Sequence, residues 1–255
     1  IVCKVLEKNN YPQGISCIIN GNANLGHQLC QDARIPLISA TGSTRMGKSI
    51  GVTVAERFGK SILELGGNNA VIISETADLK KVLPAIVFGA VGTAGQRCTS
   101  TRRLIIHESK YAEVRQVMQK AYGQLRIGNP LDQQNHVGPL IDRHAVEIYL
   151  KALEQIKVQG GRMLVEGGVI EGAEYSSGCY VRPCIAEVQA DMKIVHEETF
   201  APILYLMTYQ TLEEAITIQN NVPQGLSSAI MTESLREAEL FLSARGSDCG
   251  IANVN

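Results

Sequence analysis

Cys98 stands in Gly95-Gln96-Arg97-Cys98-Thr99, beside a cation and just after an apolar helical pattern. A neighbouring positive charge and free backbone N–H groups favour thiolate over thiol, which makes this sulfur a candidate nucleophile. Burial as a small hydrophobe is the competing reading for any free cysteine. Glu64, in Leu63-Glu64-Leu65-Gly66-Gly67, is a candidate general base. A carboxylate within an apolar strand is costly to bury, so it either ends the strand, held by nearby N–H groups, or sits where it can take a proton near neutral pH. Thr41-Gly42-Ser43-Thr44-Arg45-Met46-Gly47 offers small residues at a helix start, where N–H groups can hold a phosphate. Its spacing is neither the Gly-x-Gly-x-x-Gly fingerprint nor a Walker loop, and a plain capping turn explains it nearly as well. Gly21 and Gly26, in Asn20-Gly21-Asn22-Ala23-Asn24-Leu25-Gly26, suggest a second strand-to-helix turn and are as ambiguous. Glu197-Glu198-Thr199-Phe200-Ala201-Pro202 read alone is a solvated turn.

These residues act only if strands and helices end beside them. Ile35 to Ser39 reads as a strand, and Met46, Ile50, Val54 and Phe58 recur every four residues on one face of the following helix. Ser61 to Leu65 reads as the next strand, ended by Gly66-Gly67. Strand, glycine turn, helix, strand is a βαβ unit of a parallel sheet. A strand at Ala70 to Ile73 follows, and then a helix capped by Asp78 that carries Leu79, Val82, Leu83, Ile86 and Val91, with Pro84 near its start. Beyond the Cys98 loop come a strand at Arg103 to His107, a helix from Ser109 to Leu125, a turn-rich stretch and a helix to Val158. Short alternating elements make up the rest. The fold class is α/β. No linker or repeat marks a boundary, so the glycine pair divides the chain into residues 1–66 and 67–255.

With 255 residues, 45% hydrophobic and 19% charged, the chain can bury a sizeable core and is no disordered tail. Its 24 basic and 25 acidic residues give a net charge of −1, which argues against nucleic-acid or anionic-membrane binding as its main business. No run approaches the roughly 18 apolar residues of a membrane span, and the first residues lack a signal peptide's features. The expectation is a soluble intracellular chain. Seven cysteines, scattered and without a Cys-x-x-Cys pair, predict neither a disulfide framework nor a metal site. Most are expected to be buried.

In this order, the motifs resemble those of an aldehyde dehydrogenase. Leu63 to Ala70 is similar to the family's glutamate signature, Gly95 to Cys98 to its Gly-Gln-x-Cys, and the spacing from Glu64 to Cys98 equals the family's usual one. Gly42-Ser43-Thr44-x-x-Gly47 resembles its phosphate turn, and Glu198 to Pro202 resembles Glu-x-Phe-Gly-Pro with Ala201 in place of the common Gly. Glu64 to Ala70, Gly92 to Thr99 and Gly246 to Asn255 are similar in wording to the antiquitin branch, the α-aminoadipic semialdehyde dehydrogenases of lysine breakdown. The fold implied is a partial Rossmann-like cofactor domain followed by the family's α/β catalytic domain.

The resemblance implies a role for each matching residue. Cys98 is the nucleophile that adds to the aldehyde, its oxyanion held partly by its own backbone N–H, and Glu64 activates the water that hydrolyses the resulting thioester. Gly42, Ser43, Gly47, Leu65, Glu198 and Phe200 contact the cofactor, NAD with NADP left open. Arg97 binds the distal amino-acid end of the substrate. Partners implied are a small-molecule aldehyde and further copies of the chain in a homodimer or homotetramer, in the cytoplasm or the mitochondrial matrix.

The departures bear on activity. The family's oxyanion asparagine and its adenosine-ribose lysine lie upstream of this sequence, its substrate loop and an oligomerisation strand lie downstream, and His144-Ala145 replaces a common ribose-binding Gln. The expectation is a central portion of the family's chain, weakly active or inactive by itself, with an exposed sheet edge and helix face that favour association. Two other readings are a CoA-acylating relative, disfavoured by Glu64, and a non-catalytic member that keeps the fold. Esterase activity at Cys98 is a side possibility.

Overall fold

In the computed structural model, which describes residues 1–255, the chain divides after Leu65 into units Ile1–Leu65 and Gly66–Asn255. The first unit holds α1 (Val2–Lys8), α2 (Ala23–Gln31), β1 (Leu37–Thr41), α3 (Thr44–Glu56) and β2 (Lys60–Glu64). Polar residues start its two longer helices. The Asn22 side chain accepts from Asn24 N–H, and Ser43 Oγ accepts from Met46 N–H at 3.2 Å. β1 and β2 pair in parallel, Leu37 opposite Lys60 through Thr41 opposite Glu64, with α3 as the crossover. The βαβ unit is therefore present.

Two details differ from the sequence reading. No strand precedes Asn20 to Gly26, which leads into α2 only. Phe58 is not on the helical face: α3 ends at Glu56, and Phe58 takes a left-handed φ of 57° and is 98% exposed. The chain must turn sharply there, because Gly59 N–H closes back on Val54 O and Lys60 N–H must reach Pro36 O to start β2. Exposed Leu37, Val52 and Ile62 give this unit an uncovered apolar surface.

The second unit contains β3 (Asn69–Ile73), α4 (Leu79–Val91), β4 (Thr101–His107), α5 (Glu108–Gly123), α6 (Arg143–Val158), β5 (Arg162–Val165), β6 (Gly168–Val169), β7 (Val181–Arg182), β8 (Cys184–Glu187), β9 (Ile203–Tyr209), α7 (Leu212–Asn220), β10 (Ser227–Met231), α8 (Leu235–Leu242) and β11 (Ile251–Val254). Seven strands form one sheet in the order β11-β10-β3-β4-β9-β8-β5. Every pairing is parallel except β5 with β8. β3 and β4 are buried along nearly their whole length around the apolar runs Ala70–Ile73 and Leu104–Ile106, as expected of strands covered on both faces.

Asp78 caps α4 by accepting from Lys80 N–H, as the sequence predicts, and Pro84 lies within that helix. Between β3 and β4 the register steps: Asn69 faces Thr101 but Ala70 faces Arg103. Arg102 is thus the extra residue of a β-bulge, a device that re-aims a side chain.

Only Cys30 and Cys184 of the seven cysteines are buried, contrary to the expectation for most of them. Cys3 and Cys17 fall in the first 20 residues, none of which is buried, and Cys98, Cys179 and Cys249 lie in loops. No helix is long and apolar enough to cross a membrane, and no cluster of His, Cys, Asp and Glu has the arrangement of a metal site.

Ile105, fully buried at the middle of β4, packs within the continuous core of the second unit. Replacing it with Ala should cost about 2–5 kcal/mol in urea unfolding, through lost burial and the cavity left behind. A loss below about 1 kcal/mol would show that this part of the sheet is not tightly packed.

Candidate active site

Three segments that enter adjacent parallel strands meet in the second unit. Gly66 to Asn68 leads into β3, Gly95 to Ser100 into β4 and Glu198 to Pro202 into β9. Because the strands run side by side in one direction, their first residues lie at one edge of the sheet, and residues more than 100 positions apart become neighbours. The cysteine, glycine-pair and Glu198 motifs are brought together in this way.

The turn carrying Cys98 is constrained on every side. It follows three successive left-handed residues, Thr93 (φ 56°), Ala94 (φ 53°) and Gly95 (φ 69°). Such angles are costly for Thr and Ala, on the order of 1–2 kcal/mol each, and persist only where the surroundings impose them. At Gly95 a side chain is also excluded by space, since a Cβ would stand 2.5 Å from the Ala201 carbonyl. Gln96 ties the turn to the 139–141 loop: its Nε2 donates to Pro139 O and its Oε1 accepts from Ile141 N–H. Asn69 Nδ2 donates to both Cys98 O (2.7 Å) and Ser100 O (2.9 Å), while its Oδ1 accepts from Ser227 N–H. Gly67 must lack a side chain, because a Cβ there would lie 2.4 Å from Cys98 O. Cys98 itself remains exposed.

Arg102 joins the three segments. It is 2% exposed, and its guanidinium donates to Gly67 O, Gly95 O and Arg97 O at 3.2, 3.1 and 3.0 Å and to Glu198 Oε1 at 3.2 Å. The same Oε1 accepts from Gly67 N–H at 3.1 Å. Burial lowers the Arg102 pKa, opposed by the nearby Glu198 carboxylate. Its guanidinium carbon also lies 5.4 Å from the centre of the Phe200 ring.

Arg103 donates instead to Asn68 O, Ile218 O and Gln219 O. Burial pulls its pKa down to about 10, and carbonyls rather than a carboxylate satisfy it. Sequence reasoning assigned no role to either arginine or to Asn69. The signal available was a pair of cations opening the apolar strand Leu104-Ile105-Ile106, where unpaired charge is expensive.

Arg97 is exposed; its Nε donates to Thr93 Oγ1 at 3.0 Å and its guanidinium carbon lies 5.2 Å from the Phe88 ring centre. In the first unit Glu64 is the last residue of β2 and is exposed. Gly42 N–H donates to Glu64 O, and Gly47 packs on Leu65, whose methyls would lie 2.4–2.5 Å from a Cβ at Gly47. Ser43 caps α3, so the capping reading of this turn holds, and the remaining first-turn amides are free to meet an anion. A cleft of about 820 Å³ opens between α2, β1 and α3, with Ile38, Met46 and Ile50 on its walls and Ser43 and Arg45 among its polar lining residues. Apolar walls beside a helix N-terminus suit a flat ring joined to a phosphate, so the residues present fit a dinucleotide.

Fold and motifs together are those of the aldehyde dehydrogenase family, which all of residues 1–255 match. The chain belongs to that family. It is similar to aldehyde dehydrogenase family 7 member A1 of Pisum sativum, 48% identical over 255 residues that make up 100% of this chain and 49% of that one. It is also similar to α-aminoadipic semialdehyde dehydrogenase of Mus musculus, 48% identical over 256 residues, 100% of this chain and 47% of that one. Among solved structures, a double mutant of betaine aldehyde dehydrogenase from Staphylococcus aureus in complex with NAD+ superposes with a TM-score of 0.93 at 25% identity, over 99% of this chain and 51% of that one. The chain spans about half the length of the curated relatives it matches.

Exposure and burial separate the thiols chemically. Burial pushes the Cys184 thiol up to about 12, so near pH 8 it stays protonated and out of reach. Iodoacetamide at pH 8 should label Cys98 in the folded protein and leave Cys184 unmodified until denaturant is added, as followed by peptide mass mapping. Labelling of Cys184 at the same rate as Cys98 would contradict this packing.

Proposed function

We propose that the protein containing this chain oxidises an aldehyde to a carboxylic acid with NAD, and that its substrate is α-aminoadipic semialdehyde or a close analogue. The observation that carries the chemistry is an exposed thiol on a turn whose backbone is fixed by Asn69, Gln96 and Arg102. Family membership and the near-half identity to an α-aminoadipic semialdehyde dehydrogenase support the substrate class.

In this reading the Cys98 thiolate, its proton released to solvent, forms a C–S bond to the aldehyde carbon, and the carbonyl oxygen, now an oxyanion, accepts a hydrogen bond from Cys98 N–H. NAD+, when bound, takes the hydride that converts this adduct into a thioester. Glu64 then accepts a proton from the water that attacks the thioester, releasing the acid and returning the thiol. Ser43 and the first turn of α3 hold the pyrophosphate, with Gly42, Gly47 and Leu65 shaping that turn. Glu198 Oε1 is already engaged by Gly67 and Arg102, which leaves Oε2 to accept from a ribose hydroxyl. Phe200 lines the nicotinamide side. Arg97, steadied by Thr93 and Phe88, offers a cation to the substrate's carboxylate.

The division of labour between Cys98 and Glu64 is testable in the full chain that carries these residues. Glu64→Gln should retain a burst of NADH and lose steady-state turnover by about 10²-fold or more, the usual scale of a general base. Loss of the burst itself in rapid-mixing measurements would place Glu64 in the first step instead.

Substrate choice rests on a different residue. Arg97→Glu should lower kcat/KM for an aldehyde bearing a distal carboxylate by at least about tenfold more than for a simple aliphatic aldehyde, about 1.4 kcal/mol of discrimination. Equal losses for the two substrates would remove the amino-acid aldehyde from the proposal.

A further inference from the structure

We infer that Arg102 is a positioning residue that sets the oxyanion-binding N–H of Cys98 and the cofactor-facing carboxylate of Glu198 in one arrangement; this rests on the reading of Cys98 and Glu198 given above. One guanidinium nitrogen, Nη2, makes both links, donating to Arg97 O at 3.0 Å and to Glu198 Oε1 at 3.2 Å. Arg97 O belongs to the peptide unit whose nitrogen is that of Cys98. The unit is planar and trans, so holding its oxygen fixes the direction in which Cys98 N–H points. Ser100 N–H donates to the same oxygen at 3.1 Å, which completes the grip on that peptide plane. A cation on the carbonyl oxygen also polarises the amide and makes its N–H a stronger donor.

The remaining bonds of the side chain anchor it. Nε reaches Gly67 O and Nη1 reaches Gly95 O, so all three segments of the site are tied to one buried plane. Lysine has a single ammonium and no rigid fork, so it can satisfy part of this set but cannot reproduce it.

The experiment compares wild type with Arg102→Lys in the full chain, with thermal unfolding as the control for folding. Three readouts follow: the rate of the NADH burst, KM for NAD+ and the rate of Cys98 alkylation by iodoacetamide without cofactor. Expected are a burst about 10- to 100-fold slower, less than the roughly 10²- to 10³-fold of deleting an oxyanion donor outright. KM for NAD+ should rise by about threefold or more and the alkylation rate should shift by about threefold or more, the scale of coupling between groups in one hydrogen-bond network. A folded Arg102→Lys protein that loses thermal stability but keeps all three values would have a structural arginine only, and the inference would fall.

Should wild type form no NADH from any aldehyde, the functional reading fails, and the alkylation rate alone still decides the positioning role. If Arg102→Lys does not fold, Glu198→Gln weakens the same link from its other end. It should then change the Cys98 alkylation rate by about threefold, and an unchanged rate overturns the coupling.

Discussion

A guanidinium without access to water has to find acceptors inside the protein, and that requirement at Arg102 organises the second unit's candidate site. Removing the charge from water is expensive, so the side chain is stable only where oxygens converge on it. Here the backbone oxygens of Gly67, Gly95 and Arg97 and the carboxylate of Glu198 do so. None of the three backbone oxygens is near Glu198 in sequence. The arginine therefore converts three separate loop conformations into one cooperative arrangement, because a shift in any of them strands a buried donor.

Arg103 applies the same constraint elsewhere. Its acceptors are carbonyls of Asn68 and of the end of α7, so it braces the approach to β3 against a helix. Two adjacent cations serve two sets of loops, and the bulge at the start of β4 gives each its own direction. The rigid sheet supplies position, and the arginines transmit it to the loops through their backbone oxygens.

Much of the local structure was legible in the sequence because it depends on neighbours along the chain. Asp78 and Ser43 cap helices as their side-chain chemistry requires, and the βαβ unit follows from apolar periodicity and small-residue turns. Phe58 fitted the helical period but not the need to turn toward β2, a tertiary demand that periodicity cannot express. Family membership was legible through the wording around Glu64, Cys98 and Glu198. The internal geometry of the site was not, since the hydrogen bonds from Arg102 to Glu198 and from Asn69 to Cys98 span 96 and 29 positions. Cysteine burial was misjudged for a related reason: the average preference of a residue type says little about segments such as the first 20 residues, which pack against almost nothing.

The slip in alignment at Arg102 separates two kinds of order. Downstream of it, Leu104, Ile105 and Ile106 keep strict step with β3 and fill the interior. Upstream, the loop bearing the sulfur is free of that lockstep and takes its geometry from polar tethers instead. Exposed side chains of that loop, such as Arg97 and Thr99, can thus be exchanged without disturbing the hydrophobic interior, so long as the backbone oxygens that meet Arg102 keep their places.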